Sequence, residues 1–279
     1  MGDETMNGVG QTSLWTAAAR ARESARADRL FHDPYAELLA GPHGQDLLSH
    51  FHTSRASDEG NPFLPIRTRW FDDALHSALE AGIRQVVGLG AGLDTRAYRI
   101  DWPTGTTLFE VDQPSVLGYK RAVLDKAGIT PSDSLTTVPA DLGDDWSTAL
   151  TAAGHDASQP TMWFTEGVLF YMPRKLAGDV VLRAAALSAP GSRLTVDLIG
   201  TGIFRFPYMQ PFLRKLEDAG SPWQFGTDDP GDFLTENGWH TNVVTEPGRP
   251  DASYGRWSSA ANPVELENLP RSYLVAGHI

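Results

Sequence analysis

The stretch VVGLGAGLDTR, from Val86 to Arg96, decides the fold because three glycines follow directly on a short apolar run. Such glycine turns let the backbone approach a ligand, and open α/β sheets bind ligands at the carboxyl ends of their strands. Leu93 occupies the place of the third glycine in the dinucleotide fingerprint G-x-G-x-x-G. Asp94 then puts a carboxylate at the predicted helix start, where phosphates bind. The stretch therefore predicts a strand, a glycine turn and a ligand without phosphates.

Around this turn the chain alternates between apolar strands and helices. The predicted strands are residues 85–89, 106–112, 134–140, 161–167, 192–200, 240–246 and 272–279. Strands that are apolar on both faces and joined by helices are typical of a parallel, doubly wound sheet. We therefore expect an α/β, Rossmann-like fold with a mostly parallel seven-stranded sheet, N-terminal helices and a helical lid insertion.

The 279 residues are predicted to form a single domain with four parts. Residues 1–82 form an N-terminal helical cap, with helices over 13–30 and 65–81. Residues 83–200 form the ligand-binding core, 201–230 an aromatic-rich lid insertion, and 231–279 the C-terminal part of the sheet.

The overall composition excludes several classes of function. A formal net charge of −12 argues against nucleic acid or an anionic membrane as the main partner. The chain has no cysteine, which excludes disulfides, thiolate metal sites and cysteine nucleophiles, and we expect no metal site. No apolar run approaches the roughly 18 residues of a membrane span, and no secretory signal is seen. We expect a cytoplasmic monomer or homodimer that binds a small molecule or a peptide.

Acidic residues follow three successive predicted strands: Asp112, Asp141 and Glu166. A carboxylate after the second strand can accept both hydroxyls of a ribose. S-adenosyl-L-methionine carries a ribose, an adenine, an ammonium and a sulfonium but no phosphate, so this pattern favours it as the cofactor. The alternative is that Asp112 and Asp141 cap the helices that follow them.

The motifs RTRWFDDAL, VVGLGAGLDTRAYR, FEVDQP, ADL and TEGVLFYMP, in this order and spacing, resemble the leucine carboxyl methyltransferase family. They are most similar to its bacterial, actinomycete-type branch of S-adenosyl-L-methionine-dependent methyltransferases. The resemblance runs from about residue 13 to the C-terminus and includes the segment FHDPYAELLAG. It implies the class I methyltransferase fold and methyl transfer from S-adenosyl-L-methionine.

The resemblance also implies which residues bind the cofactor. Arg67 and Arg22 match basic residues that bind the cofactor's carboxylate. Gly90 and Glu166 match residues beside the methionyl group. Asp112 matches the ribose ligand, and the adenine contacts are Asp141 and Leu142.

The acceptor side is less sharply defined. In the family members that methylate protein phosphatases, an arginine directly follows the Asp-Leu pair and helps to hold the substrate's terminal carboxylate. Here that position is Gly143, which argues against a protein C-terminal leucine, whereas Tyr171 of the substrate site is retained and is predicted to position the substrate. The predicted pocket residues are Trp15, Phe204, Arg205, Tyr208 and Trp223.

We expect O-methylation of a carboxyl group of a small natural product or a peptide terminus. A carboxylate is ionised at neutral pH and needs no general base. No base motif is evident around His50, His52, His155 or His240. One alternative is O-methylation of a phenolic or alcohol hydroxyl of a polyketide-like secondary metabolite. Another is an NAD-dependent oxidoreductase, against which the residues at positions 93 and 94 argue.

Overall fold

A seven-stranded sheet organises the computed structural model, which describes residue 6 and residues 8–51, 62–257 and 269–279. The strands are β1 (Gln85–Leu89), β2 (Thr107–Asp112), β3 (Leu135–Pro139), β4 (Thr161–Thr165), β5 (Arg193–Ile199), β6 (His240–Thr245) and β7 (Ser272–His278). They lie in the order β3-β2-β1-β4-β5-β7-β6. Strands β1 to β5 pair in parallel, and β7 is antiparallel to both β5 and β6. The predicted mostly parallel sheet is confirmed, with bounds within about two residues of the pattern.

Helices lie on both faces of the sheet and over its carboxyl edge. They are α1 (Val9–Ser24), α2 (Ala36–Phe51), α3 (Phe63–Glu80), α4 (Arg96–Arg99), α5 (Pro114–Lys126), α6 (Trp146–Ala152), α7 (Arg174–Ala186), α8 (Gly202–Arg205), α9 (Gln210–Asp218) and α10 (Pro230–Glu236). None of the helices in the described part of the chain is long and apolar enough to cross a membrane.

The two central strands are buried along their whole length, because helices cover both faces of the sheet. On one face, Trp146 of α6 and Trp163 of β4 belong to a cluster that extends to α7 and α10. On the other face, Ile66 and Phe71 of α3 pack against β1 and β4. Burial on both faces explains why the middle residues of β1 and β4, VVG and MWF, are apolar or small and do not alternate with polar ones.

The chain changes direction across the sheet between β1 and β4. From β1 it proceeds outward through β2 to β3, and it then returns to β4 and proceeds outward on the other side. The connections after β1 and β4 therefore diverge and leave a crevice at the carboxyl edge, the usual ligand site of an open α/β sheet. The glycine turn follows β1, and Glu166 follows β4, so both lie at this crevice.

Helix α1 ends at Ser24 and not at Leu30, so the predicted C-terminal end of this helix is wrong. The Glu23 carboxylate accepts the N–H of Leu30 at 2.6 Å, and the Ser24 hydroxyl accepts the N–H of Asp33 at 2.8 Å. These side-chain contacts turn the chain back on itself. Arg20 then joins α1 to the glycine turn, since it donates to Asp33 at 2.9 Å and to the Leu93 carbonyl at 2.6 Å.

Candidate active site at the carboxyl edge of the sheet

A cavity of about 1240 Å³ lies at the carboxyl edge, bounded by the sheet, α1, α3 and the segment 201–226. Its two ends differ in chemistry. The polar end is formed by Gly90, Asp94, Arg96, Asp112, Asp141 and Glu166. The aromatic end is formed by Trp15, Phe51, Phe170, Tyr171, Phe212 and Trp223.

The glycine turn forms the floor of the polar end. Gly90 and Gly92 have φ angles of 68° and 53°, in the left-handed region that favours glycine. The Gly90 N–H donates to the Val111 carbonyl at 2.8 Å, which fixes the turn against β2. A Cβ atom on Gly90 would lie 2.6 Å from Cγ2 of Val168, so no larger residue fits there. The bare backbone of this turn therefore faces the cavity.

Asp112 at the end of β2 accepts two backbone hydrogen bonds, one on each oxygen. Gly92 donates to Oδ2 and Gln113 donates to Oδ1, both at 2.6 Å. Burial raises the pKa of this carboxyl, although the two N–H groups oppose the shift. Gln113 rather than Asp112 is the N-cap of α5, and no side chain caps that helix. Each oxygen keeps a lone pair, so Asp112 can still accept from ligand hydroxyls.

Asp141 lies beside Asp112, and Gln113 connects the two. The Gln113 side-chain amide donates to Oδ2 of Asp141 at 2.7 Å, and the Gly143 N–H donates to Oδ1 at 2.7 Å. Asp145, and not Asp141, caps α6, since its side chain accepts from the Thr148 N–H. Neither Asp112 nor Asp141 is therefore the N-cap of the helix that follows it, contrary to the capping alternative. Leu142 is buried and lines the same end of the cavity.

Glu166 after β4 is held from one side by α3. Its Oε1 accepts from Nε of Arg67 at 3.1 Å and from the Thr68 hydroxyl at 3.2 Å. Nη1 of Arg67 donates to Asp197 at the end of β5, at 2.9 Å. Burial disfavours the charge on Arg67, but Asp197 and Glu166 outweigh it and raise the pKa of Arg67. Among the described residues, Nη2 of Arg67 has no hydrogen-bond partner, and Arg67 lines the cavity.

A second arginine, Arg96, holds Glu166 from the other side, and sequence reasoning missed it. Its Nη2 donates to Oε2 of Glu166 at 2.9 Å, and its Nε donates to Asp72 at 2.7 Å. Arg96 also pairs with Asp94. Sequence reasoning likewise missed Asp72 and Asp197, because their partners lie far away along the chain. The signal that could have revealed Arg96 was the sequence Asp-Thr-Arg at the end of the VVGLGAGLDTR stretch, which places an arginine beside the glycine turn.

The charge of Asp94 is not exposed at the helix start, contrary to the expectation that it would repel a phosphate there. Burial alone would raise the pKa of Asp94, but the charges of Arg96 and Arg99 overcome burial and lower it to about 2. Asp94 is therefore ionised, and Arg96 compensates its charge. The physical reason is that α4 carries two arginines within its first turn.

The aromatic end is built from four separate parts of the chain. Trp15 of α1 lies 5.2 Å from Phe51 at the end of α2, measured between ring centroids. Trp223 lies 5.1 Å from Phe212 of α9 and 4.7 Å from Phe170. The cavity-lining residues described between positions 201 and 226 are all uncharged: Ile203, Phe206, Tyr208, Met209, Phe212 and Trp223. Burial raises the pKa of Tyr171, which also lies at this end.

Two predicted pocket residues do not line the cavity. Phe204 packs in a cluster that includes Phe170 and Ile199, and Arg205 is exposed and donates to the Thr201 hydroxyl at 3.0 Å. Because α8 is a single turn, it directs Ile203 into the cavity and its neighbours away from it. The prediction of Phe204 and Arg205 as lining residues is therefore wrong for this structure.

Arg22 lines the cavity from α1, and burial lowers its pKa. It makes no hydrogen bond or salt bridge to the residues that the structure describes, so its guanidinium is available to a ligand. Arg20 in the same helix is also partly buried, but it forms an ion pair with Asp33.

Histidines do not line the cavity within the described residues. His155 is buried at the amino end of β4 against Phe109 and Trp163, and burial lowers its pKa to about 4. His50 and His240 are exposed, and His52 lies outside the described residues. The described residues also contain no group of three or more histidines and carboxylates arranged to hold a metal ion.

Comparison with known proteins gives the family. The leucine carboxyl methyltransferase pattern matches residues 13–185. This chain belongs to the leucine carboxyl methyltransferase family. A Mycobacterium avium (strain 104) relative, named "Putative S-adenosyl-L-methionine-dependent methyltransferase", is 41% identical over 255 residues, which cover 85% of this chain and 81% of the relative. A Frankia alni relative of the same description is 40% identical over 259 residues, covering 90% and 88% of the two chains.

A solved structure supports the fold of this methyltransferase. The crystal structure of a Thermobifida fusca YX protein matches it with a TM-score of 0.62 at 18% identity, covering 99% of this chain and 96% of the other. The actinomycete-type branch, the class I methyltransferase fold and the use of S-adenosyl-L-methionine that the motifs implied are confirmed. The oxidoreductase alternative is thereby set aside.

Proposed function

We propose that the methyltransferase binds S-adenosyl-L-methionine in the polar end and methylates a carboxyl group of a small, apolar acceptor held in the aromatic end. The observation that carries this proposal is one continuous cavity whose charged and uncharged parts meet near Glu166 and Tyr171. Ligand pockets usually have volumes of about 300–1,000 Å³. A cavity of about 1240 Å³ is therefore large enough for a cofactor and an acceptor together.

The residues of the polar end fit the cofactor. Gly90 and Gly92 line the cavity and carry no side chain, so a ligand can lie close to the backbone. Asp112 has lone pairs for the ribose hydroxyls, and Asp141 and Leu142, which line the same end, would contact the adenine. Glu166 is suited to the ammonium group.

The cofactor's carboxylate requires cationic partners, and two of the arginines that line the cavity are suited to this role. Nη2 of Arg67 and the guanidinium of Arg22 have no partner among the described residues. These are the two residues that the family motifs assign to the carboxylate.

The charge balance of this region also suits a cation. The ion-pair network contains four carboxylates against three arginines: Asp72, Asp94, Glu166 and Asp197 against Arg67, Arg96 and Arg99. When bound, S-adenosyl-L-methionine supplies a methyl group on a positively charged sulfur. A surplus of negative charge in a partly buried site favours such a ligand over a dinucleotide.

The six residues that form the aromatic end include no histidine and no carboxylate, which favours a carboxyl acceptor. A hydroxyl acceptor must lose a proton, which requires a general base within hydrogen-bond reach. Histidine is missing from the described lining, and burial raises the pKa of Tyr171, which keeps its hydroxyl protonated at neutral pH. Tyr171 therefore serves as a hydrogen-bond donor that orients the acceptor. A carboxylate is already ionised and requires only this orientation, since methyl transfer gains much of its rate from positioning.

The acceptor proposed here is a small molecule rather than a protein terminus. Gly143 lines the cavity and offers no cation at the position where the phosphatase-methylating members have an arginine. The uncharged rings of the aromatic end favour an apolar or aromatic body, of the kind found in secondary metabolite biosynthesis.

The proposal is tested by incubating the protein with S-adenosyl-L-methionine labelled in its methyl group and a panel of aromatic carboxylic acids. The matched control panel contains the corresponding alcohols and phenols. Methyl esters release labelled methanol in mild alkali, whereas ethers do not. We expect alkali-labile product from the acid panel. Alkali-stable product from the hydroxyl panel alone would show that the enzyme methylates hydroxyl groups.

A further inference from the structure

Arg96 joins three carboxylates at the polar end of the cavity. Its three guanidinium nitrogens contact three different carboxylates: Asp72 through Nε, Glu166 through Nη2 and Asp94 through Nη1. The side chain is 3% exposed, so water does not substitute for these partners. The guanidinium also lies over the Phe164 ring, 5.3 Å from its centroid. A planar fork with five donors can satisfy such an arrangement, whereas a lysine ammonium is a single point charge.

The contact with Glu166 has a consequence for the cavity. Arg67 and Thr68 occupy Oε1 of Glu166, and Arg96 is the described partner of Oε2. The carboxylate is therefore held from two sides, by α3 and by α4, and Glu166 lines the cavity. Without Arg96, Glu166 is held through one oxygen only, by Arg67 and Thr68.

We propose that Arg96 is the positioning residue that fixes Glu166 to receive the ammonium group of the cofactor. This inference rests on the proposed function, in which Glu166 contacts that group. Arg96 acts through Glu166 and not by touching the adenosine part of the ligand. Its loss should therefore weaken only those ligands that carry the ammonium.

The experiment is isothermal titration calorimetry with two probes. S-adenosylhomocysteine carries both the ammonium and the carboxylate of the homocysteine tail, and its desamino analogue keeps the adenosine part and the carboxylate but lacks the ammonium. We expect Arg96→Lys to weaken S-adenosylhomocysteine about tenfold or more, as loss of a hydrogen bond to a charged group does, and to leave the desamino analogue within about twofold. Asp94→Asn, which loosens Arg96 without touching Glu166, should show the same selectivity with a smaller loss.

Two further variants separate the possible failures. Arg99→Lys is the matched control, because Arg99 binds Asp72 in the same network but makes no contact with Glu166. It should leave the ratio of the two affinities unchanged. Glu166→Gln should be selective in the same way as Arg96→Lys.

If Glu166→Gln is selective and both Arg96→Lys and Asp94→Asn are not, the role of Arg96 is overturned while the site assignment stands. Equal weakening of both probes by Arg96→Lys indicates a merely structural role and also overturns the inference. If Glu166→Gln does not discriminate between the probes, the assignment of Glu166 is wrong, and the inference about Arg96 falls with it.

Discussion

The two ends of the cavity hold their side chains in place by different physical means. At the polar end, ion pairs and backbone hydrogen bonds fix almost every functional atom, as for Glu166 between Arg67 and Arg96. At the aromatic end, the Phe212 ring packs against Trp15, Phe51 and Trp223 without a charge among them. Fixed charges specify one ligand, whereas a surface of rings admits a class of shapes. The polar end thus suits one particular cofactor, and the aromatic end suits acceptors of several shapes.

The largest effect is expected from Arg67, which compensates two buried carboxylates. We expect Arg67→Met to lower the free energy of unfolding by about 3–5 kcal/mol, because Asp197 and Glu166 lose their partner. Denaturant unfolding measures this change. Arg121→Met is the matched control, since its ion pair with Asp125 is exposed, and the change should stay within about 1 kcal/mol. Equal losses in the two variants would contradict the view that the polar end is an ion-paired framework.

Asp112 should matter for the ligand more than for the fold. We expect Asp112→Ala to weaken S-adenosylhomocysteine by about 1–3 kcal/mol, through loss of the ribose hydrogen bonds. Calorimetry measures the affinity. The control is Asp145→Ala, which removes the cap of α6 and costs about 1 kcal/mol of stability. Asp145→Ala should leave the affinity for S-adenosylhomocysteine unchanged. An unchanged affinity in Asp112→Ala would show that Asp112 only stabilises the glycine turn and does not bind the ligand.

Acidification should loosen the polar end through Asp94. The pKa of Asp94 is about 2 in the folded protein, below its ordinary value, so its ion pair stabilises the protein above about pH 4. This contribution is lost as the pH falls from about 4 towards 2. We expect the wild-type protein to exceed Asp94→Asn in unfolding free energy by about 2 kcal/mol near neutral pH and by less than about 0.5 kcal/mol at pH 2. A difference that does not depend on pH would show that Asp94 acts without its charge.

A substitution at the aromatic end should weaken binding of the acceptor and leave binding of the cofactor unchanged. We expect Trp223→Ala to raise the KM of an aromatic acid acceptor about tenfold, as truncation of a central aromatic contact does, with S-adenosylhomocysteine affinity within about twofold. Steady-state kinetics and calorimetry provide the two values. A large loss of S-adenosylhomocysteine affinity would mean that the two ends are not separate.

The sheet was predictable because its signals are local. Apolar runs of five to seven residues bounded by glycine, proline or acidic residues are present in the chain itself, and β1 begins and ends where the pattern predicts. The end of α1 was not predictable, because distant groups make it. Arg256 donates to Glu23 at 2.7 Å, and Glu23 in turn accepts from the Leu30 N–H.

In the site, too, local signals were predictable and contacts between distant residues were not. Asp112, Asp141 and Glu166 were predictable because each follows a strand, and parallel strands bring their carboxyl ends to one edge. The partners of Glu166 were not, since they come from α3 and α4 and meet it only in the folded chain. On the lid, composition indicated an aromatic pocket, but the single turn of α8 decides that Ile203 and not Phe204 faces it.

A crystal structure of the protein with S-adenosylhomocysteine tests the division of the cavity most directly. The division predicts ribose hydroxyls on Asp112, the adenine beside Asp141 and Leu142, and the ammonium on Glu166. It also predicts that Trp15 and Trp223 keep an open space beside the sulfur. Density for the ligand within the aromatic end, or a ribose out of reach of Asp112, would contradict it.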